Sequence, residues 1–225
     1  MGTSVSGVGT FDKAVLVLDA LEDEPLALAG LVDATGLPRA TTHRLATALE
    51  AHGLVRRTDD GRFALGLRLV ALGRAAADQL PLAEAARPAL AALRDATEES
   101  VQLYVRQGDR RVCVAALESP HGLRTIVAMG AALPLDRGSA GQVLREAWTG
   151  GGSGAGEERR WVASVAEREA GVASVSAPVR DAEGRVVAAV SVSGPIERTG
   201  TDPGARYGAE VARAAAAVEA AAGLR

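Results

Sequence analysis

Two short helical patterns joined by a glycine turn constrain this chain more than any other feature. Residues 26–34 carry leucines at helical spacing, and Gly36 then supplies a tight turn. Pro38 stands in the first turn of the next helix, where its missing N–H costs nothing, and Gly53 ends that helix. Residues 11–21 hold an earlier helical pattern. This order predicts three helices, of which the second and third form a helix-turn-helix.

A basic hairpin and a further helix follow. Asp60 and Gly61 supply turn residues between two short runs that contain arginines, so residues 54–66 predict a β-hairpin. A helix-turn-helix followed by such a hairpin is a winged helix. Residues 67–80 predict a linker helix that Pro81 ends. Its apolar stripe is a candidate dimer contact and consists of Leu69, Leu72, Ala76 and Leu80.

Charge is unevenly distributed along the chain. The formal net charge is -3, yet residues 1–35 hold one base against six acids, whereas residues 36–68 hold six arginines against three acids. Positive charge concentrated in this way suits a footprint on phosphate groups. Only 3% of the residues are aromatic, which argues against a protein that stacks single-stranded nucleic acid on aromatic rings.

Cysteine usage and hydropathy bound the compartment and the cofactors. Cys113 is the single cysteine and the chain has three histidines, so we expect no disulfide framework, no metal centre and no cofactor. No run of 18 apolar residues occurs, and the first 20 residues carry charges where a signal peptide needs an apolar stretch. These features predict a cytoplasmic protein with no membrane contact.

The second half of the chain predicts helices around antiparallel strands. Residues 82–97 form a helical pattern, and Gly108 and Asp109 supply a two-residue turn between two strands. This turn predicts the cross-strand pairs Val105 with Val112, Leu103 with Val114, and Val101 with Ala116. The opposite face then carries Gln102, Tyr104, Cys113 and Ala115.

A second hairpin predicts a face lined by serines. Its turn lies within residues 180–185, and any loop of even length there places four serines on one face: Ser174, Ser176, Ser191 and Ser193. Residues 203–224 form a final alanine-rich helix, and residues 149–156 form a glycine-rich surface loop. The sequence therefore predicts the α+β class, with an antiparallel sheet flanked by helices in two or three layers.

A winged helix presents the start of its third helix to the major groove of double-stranded DNA. The candidate base- and phosphate-contacting residues of that helix are Arg39, Thr41, Thr42, His43 and Arg44. Candidate phosphate contacts on the hairpin are Arg56, Arg57 and Arg62. The alternative interpretation is that the segment PRATTHR is only a solvated helix start. The ordered pattern of turn, inner leucines and hairpin around it favours DNA binding.

Three blocks of the sequence resemble the IclR family of bacterial transcription regulators. They are TGLPRATTHRLATALEAHGLVRR, GRFALGLRLVALG and GVASVSAPVRDAEGRVVAAVSVSGPIER, which stand in the order of that family. Within the family the chain most resembles the actinobacterial regulators of the NdgR and AreB type, which are associated with leucine and other amino-acid biosynthesis. Lys13 is the only lysine, which fits a high-GC genome of that kind.

The resemblance implies an architecture and a function. Residues 1–66 are expected to form a winged helix-turn-helix that binds operator DNA, and residues 67–81 to form the linker helix. Residues 82–225 are expected to form a GAF-like domain that binds a small metabolite. Proteins of this family form homodimers, which often pair into tetramers. A regulator with repressor-type operator binding and no catalytic activity is therefore expected.

The family's effector pocket maps onto eight positions of this chain. They are Leu133, Ala140, Gly141, Ser164, Val172, Ser174, Ser191 and Ser193. The residues themselves support this, because Ser139 and Gln142 form a capping-box pattern that would start a helix with free N–H groups for a carboxylate. We therefore expect a small carboxylate or amino-acid effector. The alternative is that the serines only bond to backbone or water.

Two other functions remain open at this stage. One is a ligand-independent DNA-binding regulator or scaffold whose C-terminal domain only oligomerises. The other is a serine hydrolase that uses Ser139 or Ser191. The chain contains no GxSxG elbow and no histidine in the serine hairpin, which disfavours the hydrolase.

Overall fold

The computed structural model describes residues 6–145 and 160–224. The chain divides into two compact units between Ala76 and Ala77, a position within the linker helix. The glycine-rich segment at residues 149–156, predicted as a surface loop, lies outside the described residues. No helix in the described part of the chain is long and apolar enough to cross a membrane.

The first unit contains the predicted winged helix. Its elements are α1 (Gly9–Asp19), α2 (Leu28–Thr35), α3 (Arg39–Ala51), β1 (Val55–Arg57), β2 (Phe63–Leu65) and α4 (Leu67–Asp78). Gly36 ends α2 in the left-handed conformation at φ 65°, as the glycine turn predicted. The hairpin of β1 and β2 pairs Arg57 with Phe63 across its turn, where Gly61 has a φ of 80°.

The core of this unit ties the hairpin to the helices. Val17, Leu31 and Ala46 are fully buried from the three helices, and Phe63 of the hairpin packs among them. Leu26 and Phe63 also exchange two backbone hydrogen bonds, of 2.9 and 2.8 Å. The wing is therefore anchored to the chain just before the helix-turn-helix, and its tip keeps a fixed relation to α3.

The second unit is a six-stranded antiparallel sheet between helices. Its elements are α5 (Pro81–Thr97), β3 (Ser100–Gln107), β4 (Arg110–Leu117), β5 (Ala132–Pro134), α6 (Ser139–Val143), β6 (Val162–Val165), β7 (Val172–Arg180), β8 (Val186–Pro195), α7 (Ile196–Thr199) and α8 (Pro203–Ala221). The strand order is β5-β4-β3-β8-β7-β6. This architecture confirms the α+β class.

The two faces of the sheet pack against different layers. One face and the helices α5 and α8 form the main core, in which Leu90, Leu103 and Val190 are almost completely buried. The other face carries α6 and a smaller apolar cluster that includes Cys113 and Val143. The unit therefore has three layers, and the polar side chains of the second face lie beneath α6.

The register of β7 and β8 confirms the predicted serine face. Ser174 pairs with Ser193 and Ser176 pairs with Ser191, while Val175 between them points into the main core. The register of β3 and β4 confirms one predicted pair, Val105 with Val112.

The other two predicted pairs of β3 and β4 are wrong. Leu103 lies opposite Ala115, and Val101 lies opposite Leu117, because a β-bulge leaves Val114 without a partner. One extra residue in β4 moves every later side chain of that strand to the opposite face of the sheet. Ala115 consequently packs toward the main core and Ala116 toward the α6 side, the reverse of the prediction.

Trp161 packs directly on the backbone of α8. The ring rests against Gly204 and Gly208, which stand one turn apart on that helix. A Cβ atom at Gly204 would lie 2.2 Å from Cζ3 of the indole, and one at Gly208 would lie 2.3 Å from Cε2. Any larger residue at these positions must displace the indole ring, since non-bonded atoms do not approach so closely.

We expect Gly208→Val to lower the free energy of unfolding by about 1–3 kcal/mol, because it overpacks the contact between Trp161 and α8. Ala209→Val is the matched control. It adds a branched side chain at the exposed neighbouring position and should cost less than about 1 kcal/mol. Urea unfolding followed by circular dichroism measures both values. Equal stabilities of the two variants would contradict the packing described here.

Candidate functional site

Helix α3 presents one exposed face along its length. Thr42, Ala46 and Leu49 form its buried stripe at helical spacing. Arg39, His43, and Arg44 are exposed outside that stripe, and Thr41 is half-buried; each was a predicted DNA contact. The helix therefore carries two arginines and a histidine near its N-terminus, where a major-groove contact needs them.

Thr42 corrects one of the predicted DNA contacts. The side chain is fully buried, and its hydroxyl is within 3.3 Å of the carbonyl oxygens of both Leu37 and Pro38. Its position follows from the helical period, because residues 42, 46 and 49 all face the core. Thr42 thus fixes the start of α3 and does not face DNA.

The three arginines of the wing differ in their surroundings. Arg56 is exposed. Arg57 lies 3.8 Å above the centre of the Phe63 ring, its Nη1 donates to the Gly61 carbonyl at 2.9 Å, and its Nε lies 3.6 Å from Glu50. These contacts hold the wing together and partly neutralise the Arg57 charge.

Arg62 is similarly engaged within the wing. Its Nε donates to the Asp60 carboxylate at 2.7 Å. The Thr58 hydroxyl lowers the pKa of Asp60 and Arg62 adds to that effect, so the carboxylate stays ionised beside its partner. Of the wing arginines, Arg56 is the one whose charge is best placed for a phosphate.

A polar cavity lies between α6 and the serine face of the sheet. Six of the eight predicted effector residues line it: Ala140, Ser164, Val172, Ser174, Ser191 and Ser193. Six further residues that the sequence did not single out as effector contacts complete the lining: Gln102, Tyr104, Arg111, Gly138, Ser139 and Arg168. The empty volume is about 370 Å³ with its open mouth included, and the part open to the centre of a water molecule is only about 20 Å³.

Hydroxyl groups form a connected network on the floor of the cavity. Ser139 Oγ is 2.8 Å from both Ser174 Oγ and Ser176 Oγ, and Ser176 in turn donates to Ser191 at 2.9 Å. Ser164 joins the network through Ser174 at 3.0 Å, and a separate hydrogen bond of 3.1 Å runs from Ser193 to Gln102. Each hydroxyl can rotate to donate or accept, so the network adapts to the polarity of a bound group.

The predicted capping box is wrong. Gly138, with a φ of 77°, precedes the first residue of α6, and Ser139 is already inside the helix with its hydroxyl turned to the sheet. The backbone N–H of Gly138 donates to Glu167 at 3.0 Å, and that of Ser139 donates to Ser164 at 3.0 Å. Two N–H groups at the start of this five-residue helix are therefore bonded to the protein's own acceptors.

Two predicted effector residues lie outside the cavity lining. Leu133 stands on the edge strand β5, where it pairs with Arg111 and packs against the smaller apolar cluster. Gly141 is buried behind the lining, and a Cβ atom there would lie 2.5 Å from Arg111 Nη1 and 2.6 Å from the Leu135 carbonyl oxygen. Gly141 therefore makes room for the Arg111 side chain.

Arg111 is the most unusual group of the site. The residue is 2% exposed, and its Nη1 donates to the carbonyl oxygens of Pro134 and Arg137, the latter at 2.7 Å. Its Nε is buried without a hydrogen-bond partner. Burial lowers the pKa of Arg111, yet a guanidinium remains charged at neutral pH. This charge has no ion pair within residues 6–145 and 160–224.

The register of the hairpin of β3 and β4 is enough to predict which face of the sheet carries Arg111. A two-residue turn at Gly108 and Asp109 places Arg111 on the same face as Cys113, two residues on, and that is the face of Tyr104. A buried charge on this face is not predicted from the sequence, because an arginine beside a turn is usually exposed. Arg168 gave no comparable signal, since it lies in the irregular connection between β6 and β7.

Comparison with known proteins decides the family. The sequence matches the model of the IclR helix-turn-helix domain over residues 10–59. It also matches that of the bacterial transcriptional regulator IclR C-terminal domain over residues 74–150 and 157–220. The chain belongs to the IclR family. This confirms the family resemblance, while the finer likeness to the NdgR and AreB type stays a prediction.

Individual relatives agree with this membership. The HTH-type transcriptional regulator KipR of Bacillus subtilis is 28% identical over 213 residues, which cover 82% of this chain and 85% of KipR. The glycerol operon regulatory protein of Streptomyces griseus is 30% identical over 211 residues, covering 82% of this chain and 83% of that protein.

Solved structures share the fold. An IclR transcriptional regulator from Alicyclobacillus acidocaldarius aligns with a TM-score of 0.79 at 20% identity, covering 96% of this chain and 99% of its own. An IclR homologue from Microbacterium hydrocarbonoxydans, solved in complex with 4-hydroxybenzoate, aligns with a TM-score of 0.74 at 21% identity and covers 96% and 100% of the two chains.

This IclR-family chain is a transcriptional regulator with a DNA-binding helix-turn-helix, and its relatives are regulators rather than enzymes. The pocket agrees. Ser139 and Ser191 bond to other serines, and no histidine is among the described residues that line the cavity. Burial raises the pKa of the Cys113 thiol to about 11, so it is not a nucleophile near neutral pH.

Proposed function

We propose that this IclR-family regulator changes its operator affinity when a small carboxylate binds beside Arg111. The observation that supports this most is that Arg111 lines a polar cavity while its Nε is buried without a hydrogen-bond partner. Leaving a buried charged donor unpaired costs several kcal/mol, on the order of the loss from breaking a buried ion pair. A ligand carboxylate would remove that penalty while serine hydroxyls orient the rest of the molecule.

The lining favours a carboxylate over an amino acid. No acidic side chain is among the described residues that line the cavity, so an ammonium group would find only neutral acceptors there. The homologue from Microbacterium hydrocarbonoxydans binds 4-hydroxybenzoate, which is also a carboxylate. Control of amino-acid biosynthesis remains a prediction from the resemblance, and the pocket gives it no added support.

For operator recognition, we propose that the exposed face of α3 enters the major groove. Arg39, Thr41, His43 and Arg44 are placed to reach base edges or phosphates there, and Arg56 to hold a phosphate from the wing. Arg57 and Arg62 would shape the wing more than bind phosphate, because acids already lie beside them. The target being DNA, we expect the protein to act in the cytoplasm.

We further propose that the protein binds its operator as a homodimer. None of the residues of α4 is buried, and two leucines of the predicted stripe are exposed: Leu72 at 49% and Leu80 at 38%. One recognition helix reads a single half-site, and two half-sites need two copies at a fixed spacing. Pairing of dimers into a tetramer is an expectation from the family resemblance.

The recognition helix is tested by Arg44→Ala. Loss of this side chain should weaken operator binding by about 1–3 kcal/mol, or about 5- to 150-fold, if it reads a base. Arg213→Ala removes an equally exposed arginine from the other unit and should leave binding unchanged. Fluorescence anisotropy with a labelled operator measures both. Equal affinities of the two variants, each folded by circular dichroism, would refute the assignment.

The dimer contact is tested by Leu72→Glu. A charge in the predicted stripe should shift the protein toward monomer in sedimentation and reduce operator affinity without altering a DNA-contacting residue. Ala71→Glu adds the same charge at the neighbouring exposed position, which faces away from the stripe, and should leave the dimer intact. Dissociation caused by Ala71→Glu and not by Leu72→Glu would place the contact on the opposite face.

The effector pocket is tested by thermal melting with carboxylates and their neutral amides. A carboxylate at 100 times its Kd should stabilise the protein by about 2.7 kcal/mol, and the amide should not. Arg111→Met should abolish the response, whereas Arg110→Met, on the opposite face of the same strand, should keep it. If no carboxylate changes melting or operator affinity, the C-terminal domain only oligomerises, and the ligand-independent alternative holds.

A further inference from the structure

The charges that line the cavity are all positive. Among its described lining residues, Arg111 and Arg168 are the only charged ones, and they come from different elements. Arg111 projects from β4 and is buried, whereas Arg168 belongs to the turn between β6 and β7 and its side chain is 24% exposed. The cavity thus has an inner and an outer guanidinium.

Gly138 lies between the two arginines. A Cβ atom on Gly138 would lie 3.5 Å from Arg111 Nη2, 3.8 Å from Arg168 Cβ and 3.9 Å from Ser164 Oγ. The glycine leaves this space open, with a positive φ that other residues rarely adopt. Burial lowers the pKa of Arg111, Tyr104 opposes that effect, and the positive charge of Arg168 adds to it.

The acids nearby compensate this charge only in part, and of them Asp136 raises the pKa of Arg111 against the lowering by burial. Glu169 lies 3.4 Å from Arg168, but its side chain is 62% exposed, and such a pair is weak in water. Glu167 accepts hydrogen bonds from the Gly138 N–H and from Gln142 at 2.9 Å, outside the cavity lining. An anion inside the cavity therefore meets no acidic side chain among the described lining residues.

We infer that the pocket selects a small dicarboxylate, with one carboxylate at Arg111 Nε and the second at Arg168, over a monocarboxylate of the same skeleton. The inference rests on the proposed function and deepens it by naming the ligand class. Arginine suits this task, because its planar fork donates to both oxygens of a carboxylate. The part of the cavity open to the centre of a water molecule is only about 20 Å³, which favours a short spacer between the two groups.

Two carboxylates fit this geometry better than a single phosphate. One guanidinium is held by carbonyl oxygens of the segment after β5, and the other stands on a separate turn beyond Gly138. A phosphate concentrates its charge at one point, while separated cations are matched by separated anionic groups. Inorganic phosphate is nevertheless included in the test, because it shares the same charge.

The test compares each dicarboxylate with its monoamide, which has nearly the same shape and one charge less. Malonate, malonamate, succinate, succinamate and inorganic phosphate are titrated into the full-length protein by calorimetry at constant ionic strength. We expect the tighter-binding dicarboxylate to bind at least about tenfold more tightly than its monoamide. Arg168→Gln should bring that ratio close to one and leave the monoamide affinity unchanged.

Further variants separate a charge effect from a folding effect. Arg168→Lys retains the charge and should retain most of the preference. Arg111→Lys keeps a charge but removes the Nε donor, and should weaken both members of each pair. Arg110→Met, on the opposite face of β4, should alter neither. Retention of the preference in folded Arg168→Gln would overturn the role of Arg168.

The outcomes distinguish this inference from the function on which it rests. If dicarboxylate and monoamide bind equally, the preference for two charges is wrong and a carboxylate-responsive regulator still stands. If phosphate binds more tightly than either dicarboxylate, the prediction that the ligand carries a second carboxylate is wrong. If no carboxylate, monoamide included, binds at all, both the inference and the proposed effector class are overturned.

Discussion

The pocket wall of this regulator depends on one buried guanidinium. Arg111 Nη1 donates to the carbonyl oxygens of Pro134 and Arg137, so it fixes the segment that leads from β5 into α6. Position 141 requires a glycine, because a Cβ atom there would collide with the same Nη1 atom. Because these bonds are already made, a ligand carboxylate at Arg111 adds an interaction to a preformed wall, which favours affinity.

The two sides of α3 show how one helix meets two demands. The Thr42 hydroxyl donates to carbonyl oxygens that precede the helix, and Thr42 and Ala46 together anchor α3 to the core. His43 and Arg44, immediately after it, are exposed. Because the buried face of α3 is packed rigidly, side chains on its exposed face can be held at base edges. A recognition contact needs such a fixed direction.

Local rules predicted the parts of the structure that follow period and parity. The glycine turn at Gly36 fixed the helix-turn-helix, and the even loop before β8 fixed the pairing of Ser174 with Ser193. The predicted cross-strand pairs are wrong beyond the bulge at Val114, which adds one residue to β4, because no local sequence pattern predicts a bulge. The role of Ser139 was missed for a similar reason: its hydroxyl bonds to β7, a strand remote in sequence.

The distribution of fixed and adjustable groups determines what the pocket can discriminate. Serine hydroxyls rotate and accept either polarity, so they impose little selection on the skeleton of a ligand. The arginines cannot change sign, so they select for charge. In the proposed complex a second carboxylate competes with the exposed Glu169 for Arg168, whereas nothing competes at Arg111 Nε. On this proposal we expect the ligand to act on the β6–β7 turn, because a ligand shifts only those equilibria in which it has differential affinity.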